Sequence, residues 1–347
     1  MEAWPGERRA FDDLEAAFAR AAAGRTIARV LDVGGHKVRL EFAGDGLFEP
    51  MFRPFAHLET TGEPEITISC WDSETTGVDL PDSVDCGEVA TKSLPALQRD
   101  VPRCWALTRP DPGLSAYSRE TSRGYYWWHA ASALTYGDLA GGLRAIINWS
   151  MAERGLHFLH TAAVASDGAA ALIVGQSGSG KSSTALTCLL DGMDYLGDDH
   201  CLVDPSGTPA VHAVYAAAKL HTGQLQRFPE LDQYVVNPDR DPVEKGVAIL
   251  YPQFARQLPL HLPVAALLVP VIGEAVTTRI EPLSRGAALL ALAPSTLLQM
   301  AAADRSGLGP MGELVRRVPC YRIVLGSDRH AIASGIAGLL GQAPVAR

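Results

Sequence analysis

Residues 169–199, AAALIVGQSGSGKSSTALTCLLDGMDYLGDD, constrain this chain more than any other stretch. The apolar run 169–174 reads as a buried strand. It runs into Gly175-Gln176-Ser177-Gly178-Ser179-Gly180-Lys181-Ser182, a complete G-x-x-x-x-G-K-S spacing. A helical pattern follows over 183–190, and Gly192 is placed to end it. Strand, glycine-rich turn and helix N-terminus form the context in which this spacing cradles phosphate. Glycines let the backbone curl so that its N–H groups face phosphate oxygens, and the helix N-terminus adds partial positive charge. Lys181 can reach β- and γ-phosphates, and the Ser182 hydroxyl can ligate Mg²⁺. A purely structural glycine turn needs neither the lysine nor the hydroxyl. The stretch implies a nucleoside triphosphate site, with Ser183 counted among its residues.

The rest of the composition narrows the setting. The 347 residues suffice for one large domain or two, and 47% hydrophobic with 20% charged residues is ordinary for a globular chain. A net charge of −9 without a long basic run points away from nucleic acid and from anionic membrane surfaces. Cys70, Cys86, Cys104, Cys188, Cys201 and Cys320 form no C-x-x-C pair, so reduced, buried thiols are expected rather than zinc or disulfides. The first residues lack the apolar core of a signal peptide, and no apolar run is long enough to span a bilayer. A cytoplasmic setting is expected.

Along the chain, 7–23 has a charged, alanine-rich helical pattern that reads as largely exposed. Residues 27–42 alternate around Gly34-Gly35 as a hairpin, and 65–71 and 123–130 read as strands. Segment 74–113 reads as loop with short strands. Residues 136–155 carry Leu139, Leu143, Ile146, Ile147 and Ser150 on one face and predict a single amphipathic helix. Then come a strand over 156–165, a turn at 166–168, and a strand over 195–203 interrupted by two acids. Further strands are expected at 211–215, 247–250, 264–271 and 321–325, and helices at 284–293, 295–303 and 330–340. These elements predict an α/β fold with a central mixed sheet in 136–347 and a β-rich N-terminal lobe over 1–135.

Asp198-Asp199 is the second chemical signal. In proteins with this loop, a carboxylate at the end of the following strand holds Mg²⁺, and a second could accept the proton of an attacking hydroxyl. Neighbouring strand residues face opposite ways, so joint action requires the strand to end here, which Gly197 permits. The alternative is two acids at a solvated strand end. His160, before the loop strand, could tune a carboxylate or could be an ordinary buried histidine. Lys219 and Lys245 could supply a second cation to a transferring phosphoryl group or could be solvated surface residues.

Residues 159–164 (LHTAAV), the loop and its helix, 196–199 (LGDD) and 214–219 (VYAAAK) together resemble the HPr serine kinase/phosphorylase family. Within it the chain is most similar to lasso peptide kinases, which phosphorylate a serine of a precursor peptide, and its acid strand resembles that of phosphoenolpyruvate carboxykinases. The resemblance implies an HPr kinase-like nucleotide-binding core. It implies ATP on residues 175–182, one of Asp198 and Asp199 as base with Asp198 preferred, and Asp199 with Ser182 on Mg²⁺. His160 would assist the base. Ser183 stands where HPr kinase proper has glutamate, a departure that sets the chain apart from kinases acting on HPr. The expected activity is ATP- and Mg²⁺-dependent serine phosphorylation of a peptide or protein. HPr itself, a metabolite acceptor, and a nucleotide-dependent binding module without transfer are the rivals. A homo-oligomer is compatible with the resemblance but not required by it.

Overall fold

The computed structural model describes residues 7–84, 103–108, 113–299 and 308–342. They form two compact units, the first running to Arg154 and the second beginning at Gly155. The division falls there rather than at 135/136, because residues up to 154 pack with the first sheet.

In the first unit, seven strands form one mixed sheet: β1 (Thr26–Val33), β2 (His36–Ala43), β3 (Glu59–Thr60), β4 (Ile66–Asp72), β5 (Arg103–Thr108), β6 (Gly113–Ser118) and β7 (Arg123–Trp128). Their order is β3-β1-β2-β4-β7-β6-β5, with β4 parallel to both its neighbours. Gly34 and Gly35, at φ 63° and 86°, make the two-residue turn of the β1–β2 hairpin, a conformation that costs other residues strain. Helix Glu7–Ala21 is not largely exposed. Ala10, Phe11, Leu14, Ala17, Phe18 and Ala21 recur on one face and are buried against Trp71, Tyr125 and Trp127. Phe11, Leu14 and Phe18 each contribute roughly 1.5–3 kcal/mol by that burial.

The single helix expected over 136–155 is two helices, Tyr136–Gly141 and Arg144–Ala152. Leu143 between them has φ 59°, and a Cβ on Gly142 would stand 2.2 Å from Cε of buried Met51. The chain breaks to bring Gly142 against Met51, then turns so that the second helix packs on the sheet, with Ile146 over Gly124.

The second unit holds β8 (His157–Leu159), β9 (Thr161–Ser166), β10 (Ala169–Val174), β11 (Asp194–Gly197), β12 (Cys201–Asp204), β13 (Ala210–His212), β14 (Ala217–Leu220), β15 (Gly246–Ile249), β16 (His261–Ile272), β17 (Arg279–Pro282) and β18 (Cys320–Leu325). Nine of them make a mixed sheet, and β14 pairs with β15 alone. Strands β11, β9, β10, β16 and β18 lie side by side in that order, with β10, β16 and β18 parallel. One apolar core lies under helices Lys181–Leu190 and Arg329–Leu340, and another under Arg285–Gln299 and Leu308–Arg317. The two helices expected at 284–303 are one helix over Arg285–Gln299 that absorbs Pro294; residues 300–303 are outside the described residues.

One strand read as continuous, and one read as interrupted by its two acids, are each broken. The run 156–165 splits at His160 into β8 and β9, and the run 195–203 splits at 198–200 into β11 and β12. The breaks are opposite each other, since β9 pairs with β11 while β8 pairs with β12. The pairing thus places His160 beside Asp198 and Asp199 at the end of the sheet where the glycine-rich loop leaves β10.

Cys70, Cys188, Cys201 and Cys320 are free and buried. Cys86 and the side chain of Cys104 lie outside the described residues. No helix among the described residues is long and apolar enough to cross a membrane.

Candidate functional site

The loop after β10 curls as its glycines allow. Gly178 and Gly180 have φ 82° and 104°, and a Cβ on Gly175 would stand 2.7 Å from Ser179 Oγ. Gln176, Ser177 and Gly178 form the exposed lip, whereas Lys181, opening the helix, is buried. Its Nζ donates to the carbonyls of Gly175 at 2.8 Å and Gln176 at 3.1 Å, so the lysine arches back along the loop. Burial lowers its pKa, Asp199 and Asp198 oppose that shift, and the charge of nearby Lys245 adds to it. The Ser179 hydroxyl is buried without a partner.

Asp198 and Asp199 serve one site because the chain leaves the strand there. Gly197 at φ 157° is followed by Asp199 in the left-handed region at φ 71°, and His200 N donates to Asp198 O at 2.9 Å. Aspartate tolerates that conformation better than most residues. The acids then divide. Ser182 Oγ donates to Asp198 Oδ1 at 2.9 Å, while Asp198 Oδ2 is buried without a partner. Burial, and then the like charge of Asp199, push the Asp198 carboxyl up to about 6 against the pull of Ser182, Lys219 and Lys181.

Asp199 accepts from His160 Nε2 at 3.0 Å through Oδ1 and pairs with Lys219 through Oδ2. Burial would raise its pKa, but His160, Lys219 and the charge of His200 hold it well below the usual carboxylate range. Because a carboxylate can only accept, the His160 proton sits on Nε2. Its Nδ1 is buried without a partner, and its backbone N–H donates to Thr296 Oγ1 at 3.1 Å. The His160 and His200 rings are 5.9 Å apart.

Every expected site residue therefore lies in the second unit, and Lys181, Ser182, Asp198, Asp199, His160 and Lys219 converge. Lys245 joins them only through its charge on Lys181. Ser182 meets Asp198 rather than Asp199, contrary to the pairing expected for a metal. Ser183 accepts from Gln224 Nε2 at 3.1 Å, a contact over 41 residues of sequence that no spacing announces. Thr296 was equally invisible, being 136 residues from His160.

The residues fit a phosphate-bound divalent cation: a hydroxyl and an orphaned carboxylate oxygen lie together beside a buried ammonium. The arrangement offers a cradle for anionic phosphate, a carboxylate with an open oxygen and raised basicity, and a second carboxylate locked by two donors.

No family model and no curated protein matches the chain. Among solved structures it is similar to the HPr(Ser) kinase/phosphatase from Coxiella burnetii, at 12% identity and a TM-score of 0.30, over 53% of this chain and 94% of that one. A likeness so low assigns neither fold nor activity.

Proposed function

We propose that this chain is an ATP- and Mg²⁺-dependent kinase that phosphorylates a serine hydroxyl of a peptide or protein, with a ribosomally made precursor peptide as the leading substrate. The observation that carries the reading is the Ser182–Asp198 hydrogen bond of 2.9 Å, with Asp198 Oδ2 left open and its carboxyl within the field of Lys181. Phosphate binding alone needs no second, locked carboxylate. The Asp199–His160–Lys219 group supports transfer over mere binding.

In this mechanism the loop backbone and Lys181 bind the phosphates. Lys219, held by Asp199, faces the transferred group and stabilises its charge. Ser182 would hold Mg²⁺ together with the nucleotide, and the ion would supply charge neutralisation of the phosphates. Asp198 Oδ2 takes the proton of the acceptor hydroxyl, whose oxygen bonds the γ-phosphorus as the bond to the β–γ bridging oxygen breaks and ADP leaves. Asp199 stays ionised and positions Lys219 and His160; its engaged oxygens make it a weaker metal ligand than expected from the sequence. Catalysis is then mostly positioning and charge neutralisation. The peptide preference rests on the resemblance at 159–164, 175–189, 196–199 and 214–219.

The test is the intact mass of candidate acceptors after incubation with the protein, ATP and Mg²⁺. The acceptors are the precursor peptide encoded beside the gene, its serine-to-alanine variant, and HPr. One phosphate gained by the precursor and not by its variant supports the reading. Gain on HPr alone assigns a protein substrate instead, and no gain with ATP still bound leaves a binding module or a metabolite acceptor.

A further inference from the structure

We infer that Thr296 is the positioning residue that holds His160 against Asp199; this rests on the transfer reading above. Ala288, Leu292 and Thr296 fall at i, i+4 and i+8 in helix Arg285–Gln299, and all three are buried. Ala288 and Leu292 share an apolar core with Ala170, Leu172 and Val174 of the loop strand β10. A hydroxyl on such a stripe is a cost unless it is paired. Valine would fill the same space without that cost. The hydroxyl of Thr296 finds its partner in the His160 N–H, which donates to it at 3.1 Å.

That N–H needs an acceptor because of where it lies. β8 ends at Leu159, the register partner of Cys201, and β9 begins at Thr161, the register partner of Val174. His160 falls between the two ladders, so a buried N–H is left for a side chain to satisfy. The residues around it are anchored separately. Thr161 Oγ1 donates to Ile173 O at 2.8 Å, and Cys201 Sγ donates to Thr161 O at 3.4 Å. Thr296 closes the remaining gap.

The imidazole shows why this anchor reaches the chemistry. A histidine that serves another group is ordinarily oriented by a hydrogen bond from its second ring nitrogen. His160 lacks that bond among the described residues: Nε2 donates to Asp199 Oδ1 at 3.0 Å, while Nδ1 is buried without a partner. Its orientation therefore comes from the main chain, and Thr296 is the side chain that holds the main chain there. From His160 the constraint passes to Asp199, whose other oxygen pairs with Lys219. Thr296 thus acts on transfer through His160 and Asp199, without meeting a ligand itself.

The test compares the full chain with Thr296→Val, which keeps the shape and removes the acceptor, and with Thr296→Ser, which keeps the hydroxyl. Thr296→Val is also made in a His160→Gln background. Transfer is read on the acceptor that gains phosphate in the mass assay above, ATP binding by calorimetry, and the His160 ring by proton–nitrogen NMR. Thr296→Val should lower kcat by at least about tenfold, shift the ATP Kd by less than about threefold, and abolish the single Nε2–H tautomer of His160. Thr296→Ser should keep that tautomer and a kcat within about threefold of the parent. In His160→Gln, adding Thr296→Val should change kcat by less than about twofold, because the residue it positions is gone. An equal loss in both backgrounds overturns the inference, as does a Thr296→Ser variant that behaves like Thr296→Val. So does a Thr296→Val variant with unchanged kcat or an unchanged His160 tautomer. If the unsubstituted chain phosphorylates no acceptor, the kinase reading falls, and the NMR comparison alone decides whether Thr296 holds His160.

Discussion

Ser182 Oγ donates to Asp198 Oδ1 at 2.9 Å, joining the first turn of the helix after β10 to the end of β11. That bond fixes one carboxylate oxygen and turns the other into the site, buried and without a partner. Asp199, the next residue, has both oxygens engaged by His160 and Lys219. Adjacent acids of one chemical type thereby acquire opposite proton affinities, one pushed up to about 6 and the other held well below the carboxylate range.

Asp198→Asn keeps the acceptor for Ser182 and removes the base. Transfer should fall by about 10²–10⁴-fold while nucleotide affinity changes little. Phosphate incorporation and calorimetry on the same preparation check this. Normal transfer by the asparagine variant would remove Asp198 from the reaction.

The pH profile follows from the same carboxylate. Asp198 must be ionised to accept a proton, and burial with the Asp199 charge raises it to about 6. The acidic limb of kcat/KM should therefore lie near pH 6, with a plateau above it. Asp199→Asn removes the like charge and should move the limb to lower pH. A limb that stays fixed or rises in that variant places the titrating group elsewhere.

Stability should run the other way. A carboxyl whose folded pKa is raised contributes stability below its unfolded pKa and loses it as pH rises through about 6. Without nucleotide, Asp198→Asn should thus be more stable than its parent at pH 8, by on the order of 1–3 kcal/mol. Urea unfolding at pH 5 and pH 8 measures the difference, which should shrink at the lower pH.

Lys219 is bound to Asp199 and not to any phosphate-loop group, so it separates transfer from binding. Lys219→Met should lower kcat by about 10²-fold or more and shift nucleotide Kd by less than about threefold. Lys181→Ala, which removes a buried cation from the loop, should weaken nucleotide binding itself. Equal effects of both substitutions on Kd would contradict the division of roles.

The glycine-rich loop and the two tight hairpins were legible because each depends on a local rule: spacing for the loop, left-handed glycines for the turns. The break at 198–200 was legible too, in two acids that follow Gly197, whereas the break at His160 was not. Residues 156–165 contain no glycine or proline to mark a break, and only the pairing of β8 with β12 and of β9 with β11 requires the strand to split. The division of 136–155 was hidden likewise, since Gly142 breaks the helix against Met51, far away in sequence. The buried face of Glu7–Ala21 was readable from Ala10, Phe11, Leu14, Ala17 and Phe18, but its charges drew the eye. Which acid Ser182 meets was hidden in the same way: sequence supplies two adjacent acids, and only the fold brings Asp198 to Ser182.

Gly326 tests how firmly the end of β18 holds the β16–β17 connection. A Cβ there would meet Val276 O at 2.2 Å and Thr277 C at 2.7 Å, both backbone atoms that no rotamer change can move away. Gly326→Ala must displace residues 276–277 and should cost about 1–3 kcal/mol. Gly286, in helix Arg285–Gln299 with nothing within 4 Å of its added Cβ, is the control. Gly286→Ala should stabilise by about 0.4–1 kcal/mol, through helix propensity and a less flexible unfolded chain. Urea midpoints that move in opposite directions for the two variants establish the close approach at Gly326.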